Sequence, residues 1–195
     1  MQNKTVKWAI RILLAWFILA ALGPCTITHK FGPYYGKVVD QDSGEPIAGA
    51  VVLVEFRTLL HTLAGFTSHF VNAFETVTND NGEFHIDAYR AWVFRFPHKW
   101  ETNCDITVFK PGFGSYPSYP AVRKRYDPGF SIPEHQQVTI GLPKLNTREE
   151  RQKSLSLLSV HTIPEEKRKE LARVIQMEMK NLGYVKYKNP RSSQQ

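Results

Sequence analysis

Residues 36–56 read GKVVDQDSGEPIAGAVVLVEF. Valine-rich runs flank a cluster of Asp40, Asp42, Ser43, Gly44, Glu45 and Pro46. Three readings compete for that cluster: a calcium loop, a catalytic carboxylate site, or a turn between two strands. A calcium loop starting at Asp40 needs a bidentate glutamate at its last position, where Val51 stands, and helices on either side, which the flanking pattern does not supply. A turn uses every residue present. Gly44 admits a left-handed backbone, Pro46 fixes the exit direction with Ile47 as an apolar anchor, and the Asp40 carboxylate accepts from free turn amides. On this reading the acidic residues serve backbone geometry, and no catalysis is required of them.

Outward from the turn, the chain alternates. Ala50, Val52, Val54 and Phe56 fall on one face of the second strand, and Val51, Leu53, Glu55 and Arg57 on the other. The first set is the expected core face. The second is still partly apolar, which calls for a cover. The segment TVTNDNGEFHIDA at 76–88 reads as a hairpin about Asp80-Asn81-Gly82, with Phe84, Ile86 and Ala88 inward. CDITVFKPGF supplies another strand, ended by Pro111-Gly112, and QQVTIGLPKL a last one with Val138, Ile140 and Leu142 on one face. Recurrent strands with turn signals between them predict an all-β sandwich.

Other stretches fall outside the strand plan. Residues 58–73, TLLHTLAGFTSHFVNA, are apolar, weakly periodic and long for a hairpin loop, so they read as an insert. Residues 89–101 read as a strand or a packed loop, and 112–135 as an extended surface loop. Residues 26–33 read as a linker.

Gly36 through Asp40, Ser43 through Ile47 and Gly49 through Val52 resemble the start of carboxypeptidase regulatory-like domains. Thr76 through Phe84 and Lys110-Pro111-Gly112-Phe113 resemble later signatures of that family. The resemblance implies a transthyretin-like (prealbumin-like, Ig-like) β-sandwich over residues 34–145. It also implies a non-catalytic accessory role, since such domains are mostly that.

The first 25 residues stand apart. Lys4, Lys7 and Arg11 precede an uncharged apolar run from Ile12 to Leu22. That is the layout of a signal peptide, whose apolar part is about 7–15 residues long, and it is short of the ~20 residues of a comfortable membrane crossing. Residues 1–25 are therefore expected to be a signal peptide or a membrane anchor of an exported bacterial protein, in the periplasm or held at the envelope membrane. Leu22-Gly23-Pro24-Cys25 resembles a lipoprotein lipobox, with Pro24 departing from it, and makes Cys25 the candidate lipidation site. The alternative is a disulfide between Cys25 and Cys104, the chain's two cysteines.

The C-terminal third changes character. Thr147 with Glu150 and Thr162 with Glu165 form capping-box patterns. They predict a first helix to about Ser159 and a second with Leu171, Ile175, Met179 and Leu182 at helical spacing, stopped by Gly183. Residues 147–184 thus form a helical appendage, and 185–195 a disordered tail.

Among the 195 residues the net charge is +7, but the cations are scattered, so nucleic acid is not an expected partner. His61, His69 and His85 match no metal-ligand spacing, no nucleophile elbow surrounds Ser115, and no phosphate loop occurs. A zinc carboxypeptidase needs a His-x-x-Glu pair, which is not expected here, a distant third ligand and a longer chain. The expected function is a non-catalytic envelope protein that engages a protein partner and, through its N-terminus, the membrane, without cofactor or metal. The alternative is a glycan- or peptidoglycan-binding module that stacks sugar rings on Phe113, Tyr116 and Tyr119 of a proline-stiffened loop.

Overall fold

The computed structural model describes residues 2–21, 28–95, 97–101, 104–121, 129, 131–160 and 162–184. It is rich in β-structure. Ten strands follow a first helix: β1 Thr28–Phe31, β2 Tyr34–Asp40, β3 Val51–Thr62, β4 Gly65–Val77, β5 Glu83–Ile86, β6 Tyr89–Trp92, β7 Lys99–Trp100, β8 Cys104–Phe109, β9 Ser131–Ile132 and β10 Gln137–Leu142. The helices are α1 Gln2–Ala21, α2 Arg148–Ser156 and α3 Lys169–Asn181, with a 3-10 turn at Glu165–Lys167.

The strands form a sheet ordered β10-β2-β5, a larger one ordered β4-β3-β8-β9 with β7 also on β3, and a small pair, β1-β6. β10 lies parallel to β2, from Gln137 beside Tyr35 to Leu142 beside Asp40, while the other pairs are antiparallel. Val38, Phe84, Ile86, Val138, Ile140 and Leu142 from the first sheet share one core with Ala50, Val52, Val54, Phe56, Ile106 and Val108 from the second. Each large side chain taken wholly out of water there contributes about 1.5–3 kcal/mol. The strand at 83–86 ends earlier than its alternation suggests, and Ala88 is exposed.

The opposite face of β3 and β8 is covered. Val51, Leu53, Ala73 and Phe109 pack against Leu158, Val160, Ile163, Leu171 and Val174. The C-terminal segment therefore supplies the cover that the apolar half of that face requires.

Five local expectations need correction. Residues 28–31 form β1, with Phe31 wholly buried, where a linker was expected. Residues 58–73 are not a loop but the far half of a long hairpin, β3-β4, turning at Leu63-Ala64. α2 ends at Ser156. Thr162 caps no helix: the 3-10 turn begins after Pro164, and α3 begins after Arg168 without a side-chain cap from that residue. On α3 the buried positions are Leu171, Val174 and Glu178, so a carboxylate occupies the apolar stripe.

No helix among the described residues is long and apolar enough to cross a membrane. Within α1, Trp8, Leu13, Trp16 and Phe17 are exposed. Cys25 and residues 185–195 lie outside the described residues.

Candidate functional site

The hairpin β3-β4 changes register between Phe56 and Arg57, where Val71 is the extra residue. Such a bulge bends a strand and re-aims its side chains. Beyond it the hairpin runs on as an arm, held at its root by β7 through Thr58 beside Trp100 and Leu59 beside Lys99. Polar side chains collect at this junction on both faces.

On one face the Arg57 guanidinium donates through Nη2 to Glu55 Oε2 at 2.8 Å, and its Nε lies 3.2 Å from Asp105 Oδ2. Arg57 Nη1 donates to Ser68 Oγ at 3.1 Å, and Nη2 reaches Thr162 Oγ1 at 3.4 Å. Glu55 and Asp105 are direct neighbours across the β3-β8 ladder. Burial pushes the carboxyls of Glu55, Asp105 and Glu101 above their usual range, and Arg57 pulls each back. Glu55 is 5% exposed, and its Oε1 has no hydrogen-bond partner. One cation thus serves a crowd of carboxylates under the C-terminal segment. The arrangement ties sheet, arm and appendage together through Ser68, Asp105 and Thr162.

On the other face, His69 and His98 meet edge to face with ring centres 4.7 Å apart. Thr58 Oγ1 lies 3.4 Å from His98 Nδ1 and accepts from Arg95 Nη1 at 3.4 Å. Burial lowers the His98 imidazole below its usual range, and the nearby His69 and Arg95 charges add to this. His98 and Glu101 have the His-x-x-Glu spacing that zinc carboxypeptidases use, which corrects the expectation that the chain lacks such a pair. Extended backbone sends residues three apart to opposite faces. Accordingly His98 joins Thr58 on one face, while Glu101 feels Arg57, Asp105 and Glu55 on the other. His61 sits farther out on the arm opposite Phe66, and His85 is on β5, its Nε2 3.0 Å from Asp87. Among the described residues no three His, Cys, Asp or Glu side chains are grouped to hold a metal ion.

The aromatic loop is packed inward. Tyr116 is 1% exposed, bridges to Val108 through both backbone groups, and donates its hydroxyl to the Gly129 carbonyl. Tyr119 is 7% exposed, and its ring fills the space beside Gly114. Phe113 packs partly buried against the main core. Ser115 and Ser154 fasten this loop to α2: Ser115 N donates to Ser154 Oγ at 2.8 Å, and Ser115 Oγ to Ser154 O at 3.0 Å. Of the three rings in the alternative sugar-stacking reading, Tyr116 and Tyr119 are thus turned inward, and Phe113 is partly buried. A loop passing between the core and a helix buries its rings, because that is where apolar area is most readily removed from water.

The acidic turns act on the backbone. Asp40 Oδ1 accepts from Asp42 N at 2.8 Å and Ser43 N at 3.4 Å, and Gly44 has φ 77°. Asn79 Oδ1 accepts from Asn81 N and Glu83 N in the second turn. Thr78, which sequence reasoning missed, is buried: it donates to Ile47 O at 2.7 Å and accepts from Ala50 N at 2.8 Å. Cys104 is fully buried and has no disulfide partner among the described residues, and its thiol pKa is pushed up to about 11 chiefly by burial.

A cleft of about 310 Å³ lies between the start of α2 and the end of α3. Its two arginines are committed, Arg148 to the Leu182 carbonyl at 2.8 Å and Arg151 to Glu178. The α2 terminus there is closed by the Thr147–Glu150 capping box.

No family model matches the chain, and no curated protein matches it. Among solved structures, a 9R-lipoxygenase from Cyanothece PCC8801 aligns at 12% identity over 60% of this chain, with a TM-score of 0.28. The match spans 17% of that enzyme's chain.

Proposed function

We propose that the chain is a non-catalytic, exported envelope protein whose transthyretin-like β-sandwich serves as a protein-binding accessory module. The outer edge of β4 carries this reading. β4 ends the larger sheet, and no strand among the described residues continues beyond it. An unpaired strand edge offers a row of amide and carbonyl groups to an extended segment of another protein. Near its end Val77 is 42% exposed.

The family resemblance agrees with the way its signature turns meet. Val38 N donates to Gly82 O at 2.7 Å, and a Cβ on Gly82 would stand 2.4 Å from the Val38 carbonyl. Export rests on α1, whose Lys7 and Arg11 lie one turn apart ahead of Trp16 and Phe17, in the manner of a signal or interfacial segment.

A photoreactive amino acid placed at Thr76 or Val77 tests the reading in cells. The expected result is a discrete adduct with one envelope protein. Absence of any adduct from either position, with the protein abundant and folded, would contradict it.

A further inference from the structure

The pole at which the chain enters the β-structure exposes large apolar side chains and cations. β1 begins at Thr28, directly opposite Trp92 of β6. The next residue, His29, stacks on Trp100 with ring centres 5.8 Å apart, and Trp100 lies beside Thr58 at the root of the arm. The N-terminal segment and the arm therefore leave the body at the same pole. The connection from Ala21 to Thr28 keeps the C-terminal end of α1 within about 25 Å of Thr28, at about 3.3–3.6 Å per residue.

Large apolar side chains stand in solvent there. Leu63 at the arm's tip is fully exposed, and Phe66, Trp92 and Phe94 are exposed by 72, 70 and 69%. The segments that carry these side chains hold no acids: no Asp or Glu occurs before Asp40, between 56 and 74, or between 88 and 100. The carboxylates that border the pole are Glu55, Glu101 and Asp105 around Arg57, Glu134 on Gly32 N, and Asp87 beside His85. Its cations include Lys30, Arg90, Arg95 and Lys99. Lys30 and Arg90 are exposed and sit directly opposite each other across β1 and β6. Like charges so placed destabilise a strand pair, and an anionic partner removes that cost. The far pole has the reverse character, with Asp40, Asp42, Glu45, Asp80 and Glu83 on turns that pack together through Val38 and Gly82.

We infer that this pole lies flat against an anionic lipid surface, with the tip of the arm, Trp92 and Phe94 in the headgroup layer and the cations over lipid phosphates. Tryptophan among basic residues is the composition of a membrane interface, and long cationic side chains reach past apolar neighbours to the headgroups. The acidic pole then faces away from the negative surface. The inference rests on the reading of α1 as a membrane-held segment and adds to it how the body is oriented.

Vesicle flotation of the full-length protein with a photoactivatable lipid tests it. Vesicles are of phosphatidylcholine with or without phosphatidylglycerol, and lipid adducts are mapped to peptides. The expected result is adducts within residues 59–66 and 90–100 as well as α1, and few at the 40–46 turn. Arm adducts should fall severalfold without phosphatidylglycerol, and likewise in an Arg90→Glu, Lys99→Glu variant, whose changes are at exposed positions. Flotation with adducts confined to α1, or spread equally to the 40–46 turn, would overturn the orientation while leaving a membrane-held α1 intact. Arm adducts indifferent to both changes would overturn it too. Failure to float at all would remove the membrane reading of α1 and the inference with it.

Discussion

Glu178 of α3 is 2% exposed and receives Arg151 of α2 as a two-pronged pair, Nε to Oε1 at 2.6 Å and Nη2 to Oε2 at 2.5 Å. Gly112 N also donates to Oε1, at 3.3 Å. The pair locks both C-terminal helices to the turn after β8. Removing Glu178 leaves Arg151, 27% exposed on the cleft, partly in reach of water, so the lost charge-assisted hydrogen bonds cost about 2 kcal/mol. Glu178→Ala is expected to lower the stability measured by urea unfolding by about that much. Replacing both residues with apolar side chains of similar volume should cost far less.

Glu75 takes the place of a local cap for α3. It reaches from β4 to accept from Glu170 N at 2.7 Å and Leu171 N at 3.1 Å. A carboxylate at a helix N-terminus satisfies orphan amides and the helix dipole together. Glu75→Ala should cost about 1 kcal/mol. Hydrogen exchange should show faster opening at Glu170 and Leu171, with the α2 amides unchanged.

The Glu55, Asp105 and Glu101 carboxyls sit above their usual range, burial being the chief cause in each. A group whose folded-state value is raised binds its proton more tightly when folded. Its stabilising contribution is complete below the unfolded value and is lost as pH rises through the folded one. Stability should therefore decline as pH rises above the ordinary carboxyl range, near 4.5 for Glu55. Glu55→Gln should flatten that decline in denaturant titrations across pH.

Cys104 should be silent to thiol reagents in the folded protein. Its burial and a pKa near 11 leave almost no accessible thiolate at neutral pH. In a Cys25→Ser variant, maleimide labelling should appear only as denaturant unfolds the chain.

The alternation in Ala50 through Arg57 was legible because a period of two reports faces directly. Ala50, Val52, Val54 and Phe56 do line the core, and the half-apolar face of Val51 and Leu53 is covered by Leu171 and Val174. What covers it is a long-range fact that no local pattern carries. The arm was missed because Leu63-Ala64-Gly65 is a poor turn signal and residues 58–73 are apolar on both faces. The cap on α3 comes from a residue 96 positions away from Leu171, beyond any capping-box window. Tyr116 and Tyr119 misled because loop sequence does not record what packs over the loop. The parallel pairing of β10 with β2 was equally invisible, since Val138, Ile140 and Leu142 alternate the same way in either direction.

Protease protection in cells tests the central claim most directly: that the β-rich body stands outside the inner membrane at the end of α1. A C-terminal tag is followed while protease is added to spheroplasts with the inner membrane intact. Loss of the tag, with a cytoplasmic control undigested, is the predicted result. A tag that survives until the inner membrane is opened would contradict the account.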